Sequence, residues 1–435
     1  VAKPANKMGL WMSTALVSGN MIGSGVFLLP ASLAKIGSIS IVSWVSTSLG
    51  AFSLAIIFSG MSILVPRAGG PYVYVRKGFG DFLGFQTAYS YWINTWVGNA
   101  AIALAAASYA RSFIPILHHQ FLTALTAISL VWIFTLINSR GARTAGYVQL
   151  IATICKITPL LLIGILGWFY FNPDYITQSV NLTGHSDFSA ITSAAALTLW
   201  AFTGVESATV GADAMRNPKR DVPLATLMGT VIAAIVYITS SVAIMGMVPA
   251  SELAASTSPF ALAAEKMFGQ AGHYLIAVGA VVSCIGALNG WIMLQGQVAM
   301  DAAEDKLFPR FFAKRNKHDV PVQGMIFTSI LVTGLLLLTS SPDLIKQFDF
   351  IILLAVIASL VPYLYTAMAA FIIVKENPLS KRQCMLYGIA ATLASIYAFW
   401  AISGAGKDVI YYGFLLLLFS LPLYIWVCRS HTKAT

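Results

Sequence analysis

A carboxylate, an ammonium and a glycine-rich interruption sit inside stretches that are otherwise apolar, and these are the residues best placed to do chemistry. In GLWMSTALVSGNMIGSGVFLLPASLA (9–34), the run Gly19-Asn20-Met21-Ile22-Gly23-Ser24-Gly25 is poor helix material. Each glycine costs about 1 kcal/mol against alanine in a helix. Unwinding at Gly23-Ser24-Gly25 leaves bare carbonyls on one side of the break and bare N–H groups on the other. Those suit an ammonium and a carboxylate respectively. The plainer use of such glycines is close helix packing, and of the Ser24 hydroxyl, satisfying a local kink. Glu206 lies just past Thr203-Gly204 in AITSAAALTLWAFTGVESATVGAD. An acid inside an apolar span marks function by default; its simpler role is to cap N–H groups freed by a second break. Lys156, in IATICKITPLLL, is an amine that could hold a broken helix, carry a proton or snorkel to an interface. For a substrate cation, with no lone acid to meet it, indole faces are the natural host, at about 0.5–2 kcal/mol. Trp200, beside the second interruption, is the tryptophan best placed for this; packing is the ordinary role of the others.

The elements that must hold these residues are membrane helices. The chain has 435 residues, 58% hydrophobic and only 10% charged, far below the quarter or so that is charged in soluble domains. Twelve apolar spans are expected, near 9–34, 38–64, 82–112, 121–138, 147–171, 189–212, 224–248, 273–300, 322–340, 350–374, 384–402 and 409–428. The stretch 250–269 is too polar to span and reads as a loop with a short amphipathic helix. Spans one and six are both interrupted. Matching interruptions in two halves point to an inverted repeat with substrate held between the breaks. The expectation is an all-α membrane protein in a single transmembrane domain: a first repeat over about 9–171, a second over about 189–374, and two appended helices over about 384–428.

Basic residues set the orientation. With the N-terminus in the cytoplasm, 20 of the 26 Lys and Arg fall in inside loops and tails, five fall outside, and Lys156 lies in a span. Acidic residues divide almost evenly, so the bias follows the positive-inside rule. Both termini are expected in the cytoplasm, and the formal charge of +10 reflects topology, not a nucleic-acid surface. Cys155, Cys284, Cys384 and Cys428 lie in or beside apolar spans and the histidines are scattered. No metal site, cofactor site or catalytic constellation is therefore expected.

GNMIGSGVFLLP (19–30), TLWAFTGVES (198–207), NPKRDVPLA (217–225), NGWIMLQGQ (289–297) and VPYLYT (361–366) resemble the basic amino acid/polyamine exchangers of the amino acid–polyamine–organocation superfamily. The likeness runs over about residues 8–428 and is strongest to arginine/agmatine and putrescine/ornithine antiporters, with cadaverine/lysine antiporters close behind. It implies a five-plus-five inverted repeat (LeuT-like) with broken helices one and six, and often a homodimer in a bacterial inner membrane. It also implies exchange of a basic amino acid for its decarboxylated amine by alternating access. In that family the substrate carboxylate meets Ser24, Gly25 and Val26, and its α-ammonium meets carbonyls at Met21, Trp200 and Thr203. The tail meets Trp200, Trp291 and Asn99, while Glu206 bonds Tyr91 and Tyr363 to close the inner side. Lys156 stands where the arginine/agmatine type is apolar and other branches carry a lysine that replaces a sodium ion; it would tie span five to the unwound first span and to Ser283. Asn94, Thr95 and Ala355 depart from the guanidinium pocket of the arginine/agmatine type, so tail preference is open. The rival expectations are a proton-coupled amino acid carrier using Lys156 and a membrane sensor without transport.

Overall fold

The computed structural model describes residues 8–67, 69–140, 157–210, 212 and 215–432. Seventeen helices follow one another in these residues. They are α1 (Leu10–Met21), α2 (Ser24–Ile36), α3 (Ser40–Leu64), α4 (Pro71–Phe79), α5 (Asp81–Ala110) and α6 (Gln120–Asn138). Next come α7 (Ile157–Tyr170), α8 (Pro173–Thr177), α9 (Asp187–Phe202), α10 (Ser207–Val210), α11 (Pro218–Met247) and α12 (Ala250–Ala255). The last are α13 (Pro259–Glu304), α14 (Val322–Leu338), α15 (Leu344–Glu376), α16 (Lys381–Gly404) and α17 (Lys407–Thr432). The extended pairing among the described residues is one isolated bridge, Met8 to Met215.

Nine helical stretches of the described residues are long and apolar enough to cross a bilayer, α1 with α2 and α9 with α10 each counting as one. The other three expected spans correspond to α5 and to the shorter apolar helices α7 and α14. The polarity of α5 has a cause: every residue from Gly84 to Tyr109 is buried. A helix shielded from lipid on all sides can carry Gln86, Asn94, Thr95 and Asn99, provided protein groups meet them. It packs mainly against α13 and α15. In the 250–269 stretch there are two short helical pieces: α12, and the start of α13, which turns at Gly269 (φ 64°) before its long membrane run.

Polar contacts sort the loops into two sets. On one side Arg67 pairs with Asp305, Lys77 with Glu376 at 3.6 Å, and Asn316 Nδ2 donates to the Ser139 carbonyl at 2.7 Å. On the other, Lys35 approaches Asp343 at 3.8 Å and Gln120 Nε2 donates to Ser340 Oγ at 2.8 Å. There too, Ser38 N–H donates to the Ser179 carbonyl at 2.8 Å. Each contact joins loops separated by an even number of the twelve expected spans. Helix α16 is fastened to this body through Gly50, where a Cβ would lie 2.4 Å from the Tyr397 ring. The Tyr397 hydroxyl then donates to Thr47 Oγ1 at 3.0 Å.

Candidate functional site

The first span breaks as its glycines require. Helix α1 stops at Met21, Ile22 takes φ −74° and ψ 79°, and α2 restarts at Ser24 after Gly23 (φ −118°, ψ −142°). The unwound stretch is Ile22–Gly23, one or two residues earlier than Gly23-Ser24-Gly25. Ser24, Gly25 and Val26 thus become the first residues of α2, whose N–H groups have no partner within the helix. In the sixth span α9 ends at Phe202, the chain turns through Thr203–Glu206 with Gly204 at φ +104°, and α10 begins at Ser207. Only glycine takes that φ without strain.

Two tryptophans join the breaks. Trp200, 7% exposed, lies edge-on in a slot between α2 and α5. A Cβ on Gly25 would fall 2.5 Å from its Cδ1, and one on Gly98 2.8 Å from its Cη2. Trp291 reaches from α13 over both interruptions. Its Nε1 donates to the Asn20 carbonyl at 3.4 Å, and a Cβ on Gly204 would meet its Cζ2 at 3.2 Å. Trp92 packs instead, stacked on Phe327 and edge-on to Phe308 and Phe312.

The orphan carbonyls are unequally free. Trp200 O accepts both the N–H of Thr203 at 3.2 Å and its hydroxyl at 2.7 Å, which occupies two lone pairs. The Ala201 carbonyl accepts from the Tyr237 hydroxyl at 2.8 Å. Met21 O accepts from Gly23 N–H at 2.8 Å and keeps a second lone pair. The contribution left to Trp200 is therefore its indole face, and the Thr203 hydroxyl is already engaged.

Below the breaks lies the acid. Glu206 is fully buried, with one oxygen accepting from the Tyr91 hydroxyl and the other from that of Tyr363, each at 2.6 Å. Tyr91 belongs to α5 and Tyr363 to α15, so the turn of the sixth span is tied to both. Buried charges need such partners, because an unmet one in low dielectric is costly. Lys156 falls outside the described residues. Its expected neighbour Ser283 is buried, with a hydroxyl that has no hydrogen-bond partner among the described residues.

Of the specificity positions, Thr95 spends its hydroxyl on the Trp92 carbonyl at 2.6 Å. Asn94 is buried with Oδ1 unpartnered among the described residues, and Ala355 is buried on α15. Asn99 donates from Nδ2 to Gln295 Oε1 at 2.7 Å. Gln295, one helical turn beyond Trp291, was legible only as an amide in an apolar span. Asp349 was also missed: α15 begins earlier than expected, which places this carboxylate within the helix, and it accepts from Ser32 Oγ of α2. A separate cavity of about 550 Å³ is lined by Arg67, Arg216, Lys219 and Arg220. That wall is basic and does not suit a cation. Among the described residues no group of His, Cys, Asp or Glu has the arrangement of a metal site.

Comparison with known proteins agrees with this architecture. A family model described as amino acid permease matches residues 8–427. The chain belongs to the amino acid permease family. This permease is 36% identical to the putrescine transporter PotE of Escherichia coli (strain K12), over 97% of its own length and 96% of the relative. To the Haemophilus influenzae protein of the same name it is 37% identical, over 97% of each chain. To the cadaverine/lysine antiporter of Escherichia coli (strain K12) it is 33% identical, over 97% of its own length and 95% of the relative. It is a multi-pass membrane transport protein, not an enzyme.

Proposed function

We propose that this permease is an antiporter that takes in a basic amino acid (ornithine, lysine or arginine) and releases the corresponding decarboxylated amine. The observation that carries the reading is the pairing of two helix breaks under two indoles, with Glu206 held by Tyr91 and Tyr363 directly beyond. The free N–H groups at Ser24, Gly25 and Val26 suit a carboxylate, the Met21 carbonyl suits an α-ammonium, and Trp200 with Trp291 suits a distal cation. An amine lacks the carboxylate but keeps the cations, so one site serves both partners. The printed substrates of the relatives, putrescine and cadaverine with lysine, support this class. Alternating access would rock the two halves of a five-plus-five repeat (about 9–171 and 189–374, with 384–428 appended) about the breaks. The Glu206 cluster would act as the inner gate. Exchange of a monovalent amino acid for a divalent amine moves net positive charge outward.

The same reading puts the protein in a bacterial inner membrane with both termini cytoplasmic, on the side that holds 20 of the 26 basic residues. A homodimer is part of the proposal. The exposed apolar face of α17, with Phe414, Phe419 and Trp426, offers area for it; lipid covers such a face equally well, and cross-linking in native membranes decides. Exchange itself is tested in proteoliposomes. Labelled putrescine, ornithine or lysine should enter only vesicles loaded with counter-substrate. Uptake into empty vesicles driven by a pH gradient would replace the exchanger with a proton-coupled carrier, and binding without flux would make it a sensor.

A further inference from the structure

We propose that Gln295, through its hydrogen bond to Asn99, sets the tail specificity of the site and favours substrates that end in an ammonium over those that end in a guanidinium. The proposal rests on the reading that the substrates are basic amino acids and their amines. Both amides are wholly buried. They meet at 2.7 Å between α5 and α13, leaving Asn99 Oδ1 and Gln295 Nε2 without partners among the described residues. Buried polar atoms are almost always paired, so two orphans on one contact point to a ligand that completes them. The pair lies on the helices that contact the indoles: Asn99 follows Gly98, which lies against the end of the Trp200 ring. Gln295 is four residues after Trp291 and so on the same face of α13.

The direction of the bond fixes what remains. Because Asn99 donates to Gln295, the free carbonyl oxygen is that of Asn99 and the free NH2 group is that of Gln295. An ammonium is a compact donor and is served by the single free oxygen together with an indole face. A guanidinium presents two parallel N–H bonds and needs two acceptors side by side. Here the second acceptor position is held by an NH2 group, so donor faces donor. Gln295 thus converts what would be a second acceptor into a barrier against arginine and agmatine.

The test is competition for labelled putrescine exchange in proteoliposomes, with unlabelled putrescine and ornithine against agmatine and arginine. The wild-type protein should favour the ammonium tails by about tenfold or more, the scale of one misplaced buried hydrogen bond. Gln295→Ala should reduce that preference about tenfold. Gln295→Glu, isosteric but with an acceptor where the NH2 stood, should reduce it further or reverse it. Should the alanine variant fail to fold, the glutamate variant decides alone. Equal wild-type competition by agmatine and putrescine, or a preference unchanged by the variants that fold, would overturn the proposal. Exchange activity in the same vesicles with the preference unchanged would leave the antiport reading intact, so the two ideas fail separately.

Discussion

Gly25 and Trp200 touch so closely that a single methyl group at residue 25 would lie 2.5 Å from the indole Cδ1 and 2.8 Å from Nε1. The glycine that weakens the first membrane helix is therefore also the floor under the indole of the sixth. Gly25→Ala should displace Trp200 from its slot. A loss of substrate affinity of about tenfold or more is expected, with the protein still monodisperse in detergent; titration of tryptophan fluorescence with putrescine measures it. Gly98→Ala attacks the other end of the same ring and should act in the same direction. Unchanged affinity in both would show that the ring position is irrelevant to binding.

The two indoles should separate by function. Trp200→Leu removes the cation–π face and should abolish exchange of amine and amino acid alike. Trp291→Leu removes a bridge between the breaks, through the Asn20 carbonyl, and should chiefly slow turnover. Initial rates over a range of substrate concentrations distinguish these outcomes. Near-normal flux in Trp200→Leu would end the aromatic account of the site.

Removal of either tyrosine from Glu206 leaves one carboxylate oxygen buried without its donor. Tyr91→Phe and Tyr363→Phe should each destabilise the protein by about 1–3 kcal/mol, read as a lower melting temperature in detergent. If the cluster gates the inner side, they should also speed modification of a cysteine placed just beyond Glu206. Glu206→Gln keeps the shape but puts an NH2 group where one tyrosine hydroxyl donates; exchange should fall at least tenfold. Normal exchange and unaltered cysteine modification in all three variants would reduce the cluster to a cap on the broken helix.

Asp349 offers a complementary test at the opposite end. Its bond to Ser32 joins α2, the second half of the broken first span, to α15. Ser32→Ala should alter the balance of the two access states and therefore turnover, with affinity for putrescine changed less than twofold or so. A large change in affinity with turnover preserved would make Asp349 a binding residue instead.

Lys156 separates exchange from proton coupling. Lys156→Met should impair flux, and its activity between acid and neutral conditions should lose whatever slope the wild type shows. Identical rates and identical pH profiles would leave the lysine as an amine reaching for the interface.

What the sequence by itself determined are quantities that depend on neighbours along the chain. Span length against bilayer thickness and the poor helix propensity around Gly19–Gly25 and Thr203–Gly204 could both be read in order from one end. The break in the first span was placed within two residues, because helix propensity is local. Tertiary structure alone decided which polar groups meet across the bundle. The Tyr91–Glu206–Tyr363 cluster was expected only through resemblance, and nothing in the residue types shows that Gly98 is the wall of the Trp200 slot. The Asn99–Gln295 bond and the Ser32–Asp349 bond were not anticipated at all. Such contacts join residues far apart in the chain, and their partners are chosen by packing and burial, where an unmet polar atom costs far more than its sequence neighbourhood can reveal.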